Sequence, residues 1–256
     1  MMRLYEQFQD LVLGVASLLV LVVVWQLVVE LGLVNPFFVS KPTLVATEMA
    51  SQLNSGILLR HTVATLHALV LSFGLAAGVG IGLGLLAGWF RDVESALDPF
   101  IWFKYSAPTI AFYPLFIAWL GYGLPTIVAI AFLFALTPIY ANTVSAIRNV
   151  DANLVRAARS FGARPHDIFL RVAIPGSIPM IVAGLRLGVG RALTGVVVAE
   201  LFGSTEGLGY AVGFYGQKLQ TTPMMVIIVV VVILGVLLTQ LLSRFEAATS
   251  FWRTGS

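Results

Sequence analysis

Long apolar runs separated by short polar gaps dominate the chain. Runs of roughly 20 apolar residues carry a helix across about 30 Å of hydrocarbon, because each residue adds ~1.5 Å of rise. Their positions predict spans at about 11–30, 62–90, 100–120, 125–147, 178–200 and 223–243. The expected fold class is therefore an all-α membrane protein of about six transmembrane helices, forming one polytopic domain over 1–256. The first run follows MMRLYEQFQD, is too long for a signal-peptide core and shows no small-residue cleavage pattern, so it is predicted to be the first span.

The gap at about 148–178 departs from the pattern. It holds Arg148, Arg156, Arg159, Arg164 and Arg171 between two apolar runs. From Asp151, a candidate N-cap, Leu154, Ala158 and Phe161 fall at i, i+4, i+7 and form one apolar stripe that Gly162 would end. A second short helix is predicted to open at Pro165, carry Ile168, Phe169 and Val172 on its apolar side, and stop before Pro175. The result is a helical hairpin parallel to the membrane. Its arginines could serve only to fix sidedness, but a simple turn would connect two spans with far fewer residues. The other reading is a docking element whose apolar stripe enters a partner's groove.

Composition identifies the solvent. Apolar residues make up 59% and charged residues 11% of the 256, more apolar than a soluble domain of this size can bury. With the termini inside, the inner segments hold Arg3, Arg91, the five hairpin arginines, Arg244 and Arg253, against Lys41, Arg60 and Lys218 outside. That asymmetry predicts cytoplasmic termini and a cytoplasmic hairpin. The net charge of +3 follows from topology and predicts no nucleic-acid partner. Cysteine is absent, which excludes disulfides and thiolate chemistry. His61 and His67, about 240° apart on one helix, do not converge on a metal. His61 is expected at the interface and His67 buried. No G-x-x-x-x-G-K-[ST] loop occurs, so ATP chemistry would need another chain.

The hairpin resembles the "EAA" loop of permease subunits of bacterial ATP-binding-cassette importers, E-A-A, three residues, G, nine residues, then I-x-L-P. Ala157 and Ala158 match the alanines, Gly162 the glycine and Pro175 the proline, with Val172 and Ile174 as conservative replacements. Arg156 stands where the pattern has glutamate. Further likeness lies in PFFVSKP before an outer amphipathic helix, HTVATL, LDPF, SAPTIAFYPLFIAWLGYG and the run from Gly184 to Tyr210. Together these point to the branch that includes taurine, alkanesulfonate and nitrate importers.

The resemblance implies a type I importer permease in the bacterial cytoplasmic (inner) membrane, multi-pass and paired with a second copy of itself. Two cytoplasmic ATP-binding subunits would carry ATP and Mg, leaving no cofactor or metal on this chain. An extracytoplasmic substrate-binding protein would deliver a small solute, and membrane lipid would surround the spans. The implied ATPase-coupling residues are Arg156, Ala157, Ala158, Ser160, Phe161, Gly162, Ala163, Arg164, Pro165, Ile174 and Pro175.

Within the spans, Gly74, Gly78, Gly80, Gly82, Gly84 and Gly88 predict close helix packing. Pro108, Pro114, Pro125 and Pro138 each remove a backbone donor and favour a kink or an end. Interrupted helices at membrane depth face protein or a water-filled path, so Pro108, Ala111 and Pro114 are candidate path residues. Arg191 near mid-span needs a partner on another helix, water or an anionic substrate, because a lone charge there costs about 2.5–3.5 kcal/mol. Glu200 is expected to reach the outer interface, Lys104 to sit at the interface near Asp98, and Arg186 to snorkel toward the cytoplasmic end. The sixth run is predicted to face lipid. A self-sufficient secondary transporter or channel would need repeats and midplane carboxylates, and an intramembrane enzyme would need a nucleophile–base or metal constellation. The sequence offers none of these convincingly.

Overall fold

The protein is described by a computed structural model that gives the backbone of residues 2–249 and the side chains of 12–247. The side chain of Arg3 and all of Arg253, which entered the charge asymmetry, lie outside the described residues. The described chain is helical: α1 Met2–Glu30, α2 Pro42–Asn54, α3 Ile57–Trp89, α4 Arg91–Ser106, α5 Tyr113–Leu120, α6 Leu124–Arg148, α7 Ala152–Ser160, α8 Pro165–Ile168, α9 Ile174–Gly203, α10 Leu208–Gln217 and α11 Thr221–Thr249. Among the described residues five stretches are long and apolar enough to cross a membrane, at Val12–Glu30, Ile57–Trp89, Leu124–Arg148, Pro165–Gly203 and Thr221–Ala247.

The chain divides into two compact units. The first comprises the residues up to Arg60 with Ala211–Val230. Here Pro42, in the first turn of α2, starts that helix with its fixed φ. The segment before it is tied to the start of α11 by Ser40 and Thr222, whose hydroxyls lie 2.8 Å apart, and by the Thr221 hydroxyl donating to the Phe37 carbonyl.

The second unit comprises His61–Tyr210 with the chain from Val231 onward. Its centre is α6, where Ile130, Ala131, Ala135 and Ile139 are fully buried. Close approach explains why small residues flank it. A Cβ added at Gly80, Gly84 or Gly88 of α3 would lie 2.9, 2.6 or 2.8 Å from Ile139, Thr143 or Ile147. On the other side, Gly188 and Gly195 of α9 meet Ile139 and Ala131 equally closely. Without a hydrophobic drive in lipid, such backbone approach is what holds helices together. Gly74, Gly78 and Gly82 contact nothing comparable, so only Gly80, Gly84 and Gly88, four residues apart on one face, build the seam.

The predicted third span is not one continuous helix. Ala107 precedes Pro108, whose ring excludes the α conformation there, and it is extended at φ −78°, ψ 134°. A 3₁₀ turn, Thr109–Phe112, then leads into α5, with Pro114 in its first turn where a missing N–H costs no bond. Pro125 likewise starts α6, whereas Pro138 sits inside it. A second correction concerns Pro175. Helix does not stop before it: α8 passes through a π turn, Phe169–Ala173, directly into α9. The wider turn places Pro175 in a first-turn position, so the chain keeps its helical path through the proline.

Candidate coupling hairpin and translocation face

Each end of the first hairpin helix is fixed locally. Asp151 caps α7, its Oδ1 accepting from the Asn153 amide at 2.7 Å. At the other end the Gly162 amide donates to the Arg159 carbonyl and the Ala163 amide to that of Ala158, a Schellman closure with Gly162 at φ +80°. The second leg is anchored by buried Ile168 and Ala173, and by the Phe169 ring 4.8 Å from that of Trp89. An Arg148–Glu94 ion pair braces the base.

The expected apolar stripe is left uncovered: Phe161 is 91% and Leu154 54% exposed. Of the other implied coupling residues, Arg156, Ala157, Ser160, Arg164, Pro165 and Pro175 are exposed or partly so, and Ala158, Ala163 and Ile174 half-buried. Arg156 donates to Asn153 Oδ1, a contact within its own helix. The hairpin is thus a locally closed, anchored element presenting an aromatic tip.

The candidate path residues lie in two different environments. Pro108, Ala111, Pro114 and Arg191 are exposed on the second unit. Arg191 has no hydrogen bond or ion pair among the described residues. Lys104 turns to Thr137, donating to its Oγ1 at 2.8 Å, and does not pair with Asp98. Beside Lys104 an open cavity of ≈ 250 Å³ is walled by Phe103, Phe112, Phe116 and Trp119.

Glu200, by contrast, is enclosed by protein and only 1% exposed. Its carboxylate accepts from Thr65 Oγ1 at 2.9 Å and from the Gly209 amide at 2.8 Å. Thr65 Oγ1 also accepts from the Leu208 amide at 2.7 Å, and His61 Nδ1 from the Gly207 amide at 3.1 Å. Gly207, at φ +106°, lets the loop close over the carboxylate: a Cβ there would fall 2.3–2.6 Å from the Glu200 carboxyl atoms. The expected roles of the two histidines are exchanged, because His61 is buried by this loop and His67 is exposed.

Sequence reasoning missed Thr65 as the partner of Glu200, and Glu246, which pairs with Arg186 at 3.2 Å. Gly207 and Gly209, soon after a carboxylate with no nearby cation, were the available signal for the first. Nothing local marked the second.

A glycine-seamed helical core, five helices long and apolar enough to cross a membrane among the described residues, and an interhelical hairpin are the marks of a multi-pass membrane protein. A family model described as the binding-protein-dependent transport system inner membrane component matches residues 80–250, and the chain belongs to that family. It is therefore the permease subunit of an ABC importer, a transport component and not an enzyme.

Three relatives illustrate its surroundings. The riboflavin transport system permease protein RibX of Chloroflexus aurantiacus is 34% identical over 255 residues, 96% of this chain and 95% of that protein. The Bacillus subtilis (strain 168) permease named for aliphatic sulfonates transport, SsuC, is 33% identical over 234 residues, 91% and 85% of the two chains. The taurine transport system permease protein TauC of Escherichia coli (strain K12) is 29% identical over 249 residues, 95% and 90% of the two chains. Among solved structures, a chain of the inward-facing MetNI methionine ABC transporter has the same fold, with a TM-score of 0.68 at 21% identity over 75% of this chain and 96% of that one.

Proposed function

We propose that two copies of this chain form the solute path of an importer in the bacterial cytoplasmic membrane, with both termini in the cytoplasm. An ATP-binding subunit grips each hairpin, and an extracytoplasmic binding protein delivers a small solute to the outer face. ATP and Mg reside on the partner subunits. Nucleotide then biases the permease between inward-open and outward-open states, to the extent that it binds one state more tightly.

The observation that carries this reading is the exposed Phe161 at the tip of a hairpin whose other parts are anchored. A buried aromatic anchor in a partner's groove is the usual centre of such an interface. Small anions are the favoured cargo, since Arg191 and Lys104 have no acidic partner among the described residues and relatives are named for sulfonate and taurine transport. Pro108, Ala111, Pro114 and Arg191 line the path; Glu200 acts on it from behind, through the loop it holds.

The test is co-purification of a co-expressed ATP-binding subunit with the tagged chain. Phe161→Asp should reduce recovery by about tenfold or more, since anchor truncations cost ~2 kcal/mol upward, while leaving the thermal midpoint unchanged. Equal recovery would remove the hairpin from the interface.

A further inference from the structure

Both legs of the hairpin hold the same corner of the second unit. α3 ends at Trp89 and α4 starts at Arg91, with the single extended residue Phe90 between them at φ −105°, ψ 113°. On the α3 side of this joint the Trp89 ring lies 4.8 Å from that of Phe169, in the second leg. On the α4 side Glu94, in the first turn, pairs with Arg148, the last residue of α6 and the root of the first leg.

The packing of α4 leaves it free to tilt about that joint. None of its residues is buried, and Val93, Leu97 and Ile101 lean on Ala87, Tyr140 and Val144. Sparse packing of this kind belongs to elements that shift at low cost. The far end of α4 carries a further polar tie, Lys104 to Thr137, and then a second single-residue break, the extended Ala107 before Pro108. A helix between two such breaks moves as a rod, because the terminal residues absorb the change in φ and ψ.

We infer that the corner at Phe90 is the joint that carries displacement of the hairpin to the solute path. Glu94 and Arg148 turn a shift of the first leg into a tilt of α4, which moves the break at Ala107 and Pro108, while Trp89 and Phe169 keep α3 with the second leg. The inference rests on the importer reading and makes Glu94 a positioning residue for coupling. The Arg148 side chain is 43% exposed, so the pair contributes little to stability and its loss uncouples without unfolding.

The chain's lack of cysteine permits a single reporter. Ser106→Cys, at the exposed end of α4, is placed in the chain purified with its ATP-binding subunit, and maleimide labelling of the permease chain is timed with and without MgATP and vanadate. Nucleotide should change the labelling rate by about fivefold or more, the lower end of ordinary coupling between sites. In Glu94→Gln and in Arg148→Gln the rates with and without nucleotide should become equal. Glu94→Asp alone, or Glu94→Arg combined with Arg148→Glu, should restore the difference. Recovery of the ATP-binding subunit and the thermal midpoint should stay constant in the Gln variants.

A nucleotide response that survives both Gln substitutions overturns the joint, as does one that neither Glu94→Asp nor the exchanged pair restores. A fall in subunit recovery or in the midpoint would make the pair a structural support and likewise overturns it. If the ATP-binding subunit joins the chain but nucleotide leaves Ser106→Cys labelling unchanged, the joint fails and the importer reading stands. If no ATP-binding subunit joins the otherwise unsubstituted chain, the importer reading itself fails.

Discussion

Thr65 and Glu200 are 135 residues apart in sequence, yet the threonine hydroxyl donates to the glutamate carboxylate at 2.9 Å in the buried interior of the second unit. That hydroxyl also accepts from the Leu208 amide, so one side chain joins α3, α9 and the first residue of α10. Thr65→Val conserves shape and removes both bonds. The Leu208 amide is left unpaired and the carboxylate loses a donor, at a cost of about 1–3 kcal/mol for such a buried group. A lower thermal unfolding midpoint in detergent, recovered largely by Thr65→Ser, is the expected result. A Thr65→Val protein melting with the wild type would show that the hydroxyl does not hold the loop.

The glycine seam makes a paired prediction. At Gly84 an added Cβ lies 2.6 Å from Thr143 Cβ and 3.1 Å from the Tyr140 carbonyl, so Gly84→Ala must push α3 away from α6. Overpacking of this kind costs about 1–3 kcal/mol. Gly82, two residues earlier on the same helix, has nothing within 4 Å, and Gly82→Ala should be neutral or stabilising by up to ~1 kcal/mol through helix propensity. Melting curves of the two variants should move in opposite directions, or only the first should move.

What the sequence disclosed followed the range of the interactions. Asp151 and Gly162 act on residues within one turn, so both ends of α7 could be read directly. Ala107 obeyed an equally local rule, but the length of the apolar run around it suggested an unbroken span. Pro175 was read as a stop because the π turn that accommodates it leaves no residue signature. The enclosure of Glu200 could not be read because its partners come from distant segments, and a carboxylate satisfied by Thr65 and a glycine amide looks, in sequence, like one awaiting solvent. The run Gly74 to Gly88 announced close packing without revealing which face met α6.

Gly162 offers a test of hairpin rigidity. Its φ of +80° is unfavourable for a side chain, although an added Cβ would meet nothing within 4 Å. Gly162→Ala should therefore strain only the turn, by about 1 kcal/mol. The global melting midpoint should hold while proteolytic cleavage near the turn accelerates. Unchanged cleavage would mean that the turn tolerates the strain by another closure.

Arg186 on α9 and Glu246 on α11 meet at 3.2 Å, and the helices they join also approach where Gly235 faces Leu193. Both side chains are partly exposed, at 42% and 26%, so their attraction is discounted by screening. The larger effect comes from breaking the pair unevenly. Arg186→Met leaves a carboxylate without its cation at an apolar helix contact, whereas Arg186→Met with Glu246→Gln leaves no charge. The single variant should melt below the double, with a coupling energy of about 1 kcal/mol in a double-mutant cycle. Added salt should shrink that coupling, because screening weakens a partly exposed pair. Strictly additive losses would instead assign the contact to packing by the arginine stem.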